Sequence, residues 1–281
     1  MTPGAPALTR GSRVQQATWW AADYAYAAWR QLAILAPPWG TGGRRRTPSS
    51  WAEGSAELPE VVLLPGVYEH WTFLRPLADD LNAAGHRICV VHGMGANTRG
   101  IVETADRLAR ALARTPPPAA GRVLVAHSKG GLIGKHLLIA SGAAQAAVRE
   151  AAAGGDPAEA AASAPAPASP DQPEGPPLGV IGMVAVCTPF GGSPLAGLMW
   201  VPSIRAFLPS DETIVSLGRD TSVNGRIVSV FGRFDPHIPG GSVLDGATNI
   251  LVSGAGHFRV LGLPETYRAV RDGIALLAAP S

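Results

Sequence analysis

Ser128 stands in the segment Ala126-His127-Ser128-Lys129-Gly130-Gly131, directly after a short apolar run and directly before a helical one. A tight strand-to-helix turn strains the central serine and projects its hydroxyl. Small residues two before and two after it, here Ala126 and Gly130, let strand and helix approach. A serine hydroxyl is barely ionised at neutral pH, so a nucleophilic role needs a base, and that base needs an orienting acid. Among the seven histidines, His127 is held beside the serine, His86 begins a strand and His136 lies on the following helix. His257 is different, because it follows the last apolar run in the glycine-rich GAGHF. Asp235 follows the preceding run in FGRFDPHIP. Nucleophile, acid and base therefore occur in the order Ser128, Asp235, His257, each at its own strand end. Such a set could carry out acyl transfer through a serine ester.

Acyl transfer also needs N–H donors aimed at the developing oxyanion. One is the backbone N–H of Lys129, the residue after the nucleophile. The second is assigned to Val67, which follows Gly66 in the loop LLPGVYEHW after the first strand. His92-Gly93-Met94-Gly95 offers a competing donor at Met94, but it follows the second strand, and Val67 is preferred. The Lys129 side chain is placed at the rim, where it either meets an anionic headgroup or is solvated. Residues 188–217 carry Phe190, Leu195, Leu198, Met199, Trp200, Val201, Ile204, Phe207 and Leu208, too apolar a run for a bare loop. It forms either core-facing helices or a small cap over Ser128. On the cap reading, Trp71, Phe190, Met199 and Trp200 line an apolar substrate pocket.

The elements that must position these residues follow from periodicity. Val61–Leu64, Arg87–Val91, Val123–Ala126, Gly179–Cys187, Arg226–Phe231 and Thr248–Ser253 are short apolar runs of strand length. Phe73–Ala84, Ile101–Ala113, Leu132–Ala140 and Glu265–Ala278 have apolar residues at helical spacing. Buried strands alternating with amphipathic helices predict an α/β fold, a mostly parallel sheet of about six strands covered on both faces. Ligands of such sheets sit at the carboxyl ends of the strands, where Ser128, Asp235 and His257 fall.

These segments resemble the α/β-hydrolase superfamily, and within it the small bacterial lipases and esterases, over roughly residues 60 to 279. VVLLPGVYEHWTFLRPLADDL looks like the oxyanion strand and first helix, with Pro65 where a His is usual. VAHSKGG is similar to the AHSMGG elbow, with Lys129 at a usually uncharged position. CTPFGGSPLAG resembles the TPHxGS segment after the sixth strand of lipases, GRFDPHIP the GxxDxxVP acid loop, and GAGHFRVL the histidine loop. The resemblance implies an α/β-hydrolase fold with a small helical cap. It implies a serine hydrolase that cleaves carboxylic esters, of small molecules or lipids, through an acyl-enzyme. An acyltransferase using the same triad and a non-catalytic binding protein on the same fold are the alternatives.

Composition bounds the rest. Hydrophobic residues make up 46% and charged residues 16%, against roughly 25% in an average domain, which excludes a wholly disordered chain. A net charge of +2 lacks the electrostatic footprint of a nucleic-acid binder. No GxGxxG follows a strand and no P-loop or metal-spaced His/Cys/Asp cluster occurs, so no cofactor or metal is expected. Cys89 and Cys187 fall in apolar runs and are expected as free buried thiols. Residues 1–55 are assigned to an amphipathic helix and a linker, and 56–281 to the α/β domain. In the helix, Trp19, Ala22, Tyr26, Trp29 and Ala33 form one stripe, and Asp23, Ala27 and Arg30 a more polar one. That helix either lies on its own domain's core, contacts a membrane surface peripherally, or is a poorly conforming export signal. The expected location is cytoplasmic, with a membrane-peripheral or exported protein as the alternative. The Ala/Pro-rich stretch 154–178 is expected to be a disordered insertion, its leading part to about Ala153 able to extend the helix before it.

Overall fold

The six apolar runs pair into one parallel sheet: β1 (Glu60–Leu64), β2 (Ile88–Val90), β3 (Arg122–His127), β4 (Val180–Val186), β5 (Ile227–Phe234) and β6 (Thr248–Ala255). The computed structural model describes residues 12–35, 47–94, 96–152, 178–198 and 200–279. Spatial order is β2-β1-β3-β4-β5-β6. Leu64 lies beside Ala126, and His127 beside Val186, so the carboxyl ends of β1, β3 and β4 are level. Among the described residues seven α-helices connect and flank the strands: α1 (Arg13–Leu35), α2 (Arg75–Ala83), α3 (Ile101–Leu112), α4 (Lys129–Ala152), α5 (Pro202–Arg205), α6 (Glu212–Arg219) and α7 (Pro264–Ala278).

Strand side chains alternate between the two faces, and both are buried. Val61, Leu63, Val123, Val125, Val184 and Val186 pack against Leu77 and Leu81 of α2 and Val270 and Ile274 of α7. Val62, Leu64, Leu124, Ala126 and Met183 pack against Leu108 of α3 and Leu132 and Ile133 of α4. The helix expected over Phe73–Ala84 opens as a 3-10 turn at Trp71–Leu74, and α2 proper begins at Arg75 with Pro76 in its first turn. That is a position where a missing N–H does no harm. Helix α4 begins three residues before the expected start, at Lys129, and runs to Ala152. Its glycines are poor helix formers, which hid the first turn from a propensity argument. Apart from Leu178, the stretch 154–178 lies outside the described residues.

At the amino-terminal side the structure departs from the linker assignment at Trp51. Trp51, assigned to the linker, is buried, donates from Nε1 to Asp79 (2.9 Å), and meets Trp71 edge-on at 5.4 Å. The core thus recruits chain on the linker side of residue 55. On α1 the inward face combines both stripes: Asp23 and Arg30 are buried and Tyr26 and Ala27 pack against the core, while Trp29 is exposed. Arg30 donates to the carbonyls of Thr72 and Phe73. Burial of these charges is tolerable because backbone groups hydrogen-bond them. The helix lies on its own domain, and no described helix is long and apolar enough to cross a membrane.

Candidate active site

β3 ends at His127 and α4 begins at Lys129, so the whole turn is one residue, Ser128. Its φ of 51° lies in the left-handed region, which costs an L-residue about 1 kcal/mol or more. The surroundings hold it there. Its N–H donates to Val186 O (2.9 Å), and its carbonyl accepts from Gly131 N–H (3.0 Å) and Thr188 Oγ1 (3.0 Å). Two glycines permit the approach: a Cβ on Gly130 would stand 2.1 Å from Leu64 O, and one on Gly131 2.0 Å from Thr188 Oγ1. Ser128 is 8% exposed.

Asp235 is the first residue after β5, and His257 the second after β6. His257 Nδ1–H donates to Asp235 Oδ2 at 2.8 Å, and Asp235 Oδ1 accepts the N–H groups of His237 (2.8 Å) and Ile238 (3.1 Å). Burial penalises a charged His257 imidazole, but the Asp235 carboxylate and its hydrogen bond outweigh that and hold the pKa above the ordinary histidine value. Burial likewise opposes the Asp235 carboxylate, and His257 with the N–H donors more than compensates, leaving its pKa below the usual range. With Nδ1 committed to the carboxylate, the neutral ring presents Nε2 as an acceptor. Asp235 and His257 are thus brought together. Ser128 meets the histidine loop one residue away: His127 Nε2–H donates to His257 O at 3.1 Å, and the two imidazole centroids are 4.8 Å apart. Among the described residues no hydrogen bond joins Ser128 Oγ to His257, a bond that commonly tightens only with substrate bound.

The β1 loop is where the second oxyanion donor is expected, at Val67. Gly66 N–H is committed to Glu69 Oε2 (2.7 Å), and Tyr68 N–H to Ala96 O (2.7 Å). The N–H groups of Val67 and Lys129 have no hydrogen-bond acceptor among the described residues. The competing segment at Met94 borders a groove of about 390 Å³ lined also by His92, Arg107, Arg110 and Arg114, and neither Ser128 nor His257 belongs to that lining.

Several expectations about side chains are overturned. Lys129 is not at a rim. It is 1% exposed, and Nζ donates to the carbonyls of Asn97 (2.8 Å) and Arg99, while burial pulls its pKa down to about 8. Asn97 in turn donates from Nδ2 to Pro65 O (2.7 Å), so the lysine braces the β2 loop against the β1 loop. Trp71 and Phe190 are buried in the core, Trp71 in the cluster that holds Trp51 and Phe190 in the one that holds Ala196 and Phe207. Trp200 is 95% exposed and encloses nothing. Met199 lies outside the described residues. Of the segment 188–217, Phe190, Ala196, Phe207, Ile214 and Leu217 are core-facing, which is the plainer of the two expectations for it.

Four residues at the site were missed. Glu69, buried, faces His127 Nδ1 through Oε1 (2.8 Å) and Oε2 (3.0 Å). Asp23 of α1 accepts the N–H groups of Phe258 and Arg259, both at 2.8 Å, and so ties the histidine loop to the amino-terminal helix. Thr188 holds the Ser128 carbonyl. Cys187, with a φ of 48°, sits at the end of β4, and its sulfur lies within 4.8 Å of ligand atoms of Asp235 and His257. These three are the metal-ligating cluster found among the described residues, but burial pushes the Cys187 thiol well up and keeps it protonated, and the other two are engaged with each other. Both cysteines are free, Cys89 half-buried rather than buried. A lone carboxylate in an otherwise apolar stretch was the available signal for Glu69 and Asp23.

Neither a protein-family model nor a curated protein sequence matches the chain. Solved structures do. The mature form of a Bacillus licheniformis lipase superposes with a TM-score of 0.52 at 14% identity, over 80% of this chain and 94% of that one. A metagenomic carboxyl esterase gives 0.51 at 15% identity, over 85% and 79%. Lipase B of Aspergillus fumigatus gives 0.52 at 13%, over 83% of this chain and 59% of that one. With the parallel sheet, the helices on both faces and the strained serine between β3 and α4, these likenesses establish that the chain has the α/β-hydrolase fold.

Proposed function

We propose that the chain is a serine hydrolase of carboxylic esters, with Ser128 as nucleophile, His257 as general base and acid, and Asp235 as its orienting carboxylate. The observation that carries this is the 2.8 Å Asp235–His257 bond, made by loops at the strand ends beside a serine in left-handed conformation. Ser128 Oγ attacks the ester carbonyl as His257 Nε2 takes its proton. The imidazolium is stabilised by Asp235, and the oxyanion by the N–H groups of Val67 and Lys129. The alcohol leaves with the proton from His257, and water, activated by the same nitrogen, releases the acid from the Ser128 ester. The fold shared with lipases and a carboxyl esterase supports this chemistry over a binding role.

The test is hydrolysis of p-nitrophenyl acetate together with fluorophosphonate labelling. Ser128→Ala should abolish labelling and lower kcat by about 10⁴-fold or more. Retention of a tenth of the wild-type activity by Ser128→Ala would overturn the assignment.

A further inference from the structure

Resting on this hydrolase reading, we infer that Glu69 and His127 form a second carboxylate–histidine pair that positions the oxyanion loop, the nucleophile turn and the histidine loop together. The pair is 1% (Glu69) and 0% (His127) exposed, and none of its atoms is needed for the proton transfers described above. Its bonds reach three of the loops at the site. Glu69 Oε2 accepts Gly66 N–H (2.7 Å) in the β1 loop. Its carboxylate faces Nδ1 of His127, the residue before the nucleophile, and His127 Nε2–H donates to the backbone carbonyl of His257 (3.1 Å). One chain of contacts thus runs from the oxyanion loop through the nucleophile turn to the base. Gly66 is required for it, since a Cβ there would stand 2.9 Å from Glu69 Oε1.

Proton accounting sharpens the role. A carbonyl oxygen only accepts, so Nε2 of His127 must carry a hydrogen. Nδ1 faces a carboxyl group, and one further proton lies between them, on the ring or on the acid. The pair is neutral as a whole, which is what its burial demands. Its Nε2 is spent on the His257 carbonyl, so His127 is a positioning residue and no substitute base. By committing Gly66 N–H, Glu69 also leaves the next N–H, that of Val67, as the donor available to an oxyanion.

This arrangement makes glutamine an informative replacement. In Glu69→Gln the amide oxygen can accept Gly66 N–H and the amide nitrogen can donate to Nδ1 of a neutral His127, whose Nε2–H still reaches His257. Glu69→Met keeps bulk and loses both bonds. The experiment compares kcat and KM for p-nitrophenyl acetate in wild type, Glu69→Gln and Glu69→Met, with folding checked by circular dichroism. Glu69→Met should lose about 10²-fold in kcat with KM within about threefold, the signature of misplaced catalytic groups. Glu69→Gln should restore most of that loss. If Glu69→Met does not fold, His127→Asn, which is too short to hold His257, should show the same kcat loss at unchanged KM. Wild-type kcat in the folded Glu69→Met protein, or in His127→Asn where that stands in for it, overturns the proposal, as does a Glu69→Gln protein as impaired as Glu69→Met. Failure of the wild type to label at Ser128 would instead sink the hydrolase reading itself.

Discussion

Asp23 is 235 positions from Phe258 in sequence, yet its Oδ1 takes the N–H groups of Phe258 and Arg259, the two residues after the proposed base. The side chain is 0% exposed, and a Cβ on Gly256 would stand 2.4 Å from the same oxygen, so the loop is shaped around this carboxylate. Asp23→Ala leaves both donors without a partner in a dry site. Charge-assisted hydrogen bonds contribute about 1.5–3 kcal/mol each and a stranded buried donor costs about 1–3, so a loss of about 4 kcal/mol is expected. For a chain of this size that lowers Tm by about 10 °C. A shift of the loop by a fraction of an ångström also moves His257, and kcat should fall by about 10²-fold. Asp23→Asn separates acceptor from charge. Its amide oxygen can still take both N–H groups, so stability should stay within about 1 kcal/mol of wild type. The Asp23 charge is one of those holding the His257 pKa up, so in Asp23→Asn the acidic limb of kcat/KM should move to lower pH. Differential scanning calorimetry and a pH–rate profile on the three proteins check both parts. An Asp23→Ala protein with wild-type Tm and kcat would refute the reasoning, and so would equal damage from Asn and Ala.

The pH profile of the wild type is itself diagnostic. His257 must be neutral to accept the Ser128 proton and its pKa is raised, so kcat/KM should climb with pH through a midpoint above 6.5. A midpoint below that value would contradict the Asp235–His257 electrostatics. Gly130→Ala would push a methyl into the Leu64 carbonyl, a backbone atom that cannot swing aside, and should cost about 3 kcal/mol in urea denaturation. Trp200→Ala should change neither Tm nor kcat/KM on p-nitrophenyl acetate, because that side chain stands in solvent; a tenfold loss would return it to the site.

How far the site was legible depended on how local each signal is. The Ser128 turn and the Asp235–His257 pair are legible because each residue sits one or two positions past an apolar run, and a parallel sheet brings strand ends together whatever the loops do. Glu69, His127 and Asp23 carry no such mark. Glu69 meets the His127 side chain 58 positions on, His127 the His257 carbonyl 130 positions on, and Asp23 the Phe258 N–H 235 positions on, and no spacing rule spans those separations. Hydrophobicity misled where it was the sole guide. Proximity to the catalytic end suggests Trp71 and Phe190 as pocket residues, and the same apolar surface is worth as much in the core clusters that hold Trp51 and Phe207, where both are buried. The helix α1 shows the converse. Its buried residues are Asp23 and Arg30, whose hydrogen bonds to backbone dock the helix together with the packing of Tyr26 on the core. Apolar area fixes how much of a helix is covered, and polar groups with directional partners decide which way it turns. At this site the second effect sets the loop of the proposed base: α1 holds the N–H groups of Phe258 and Arg259, next to His257, through the Asp23 carboxylate.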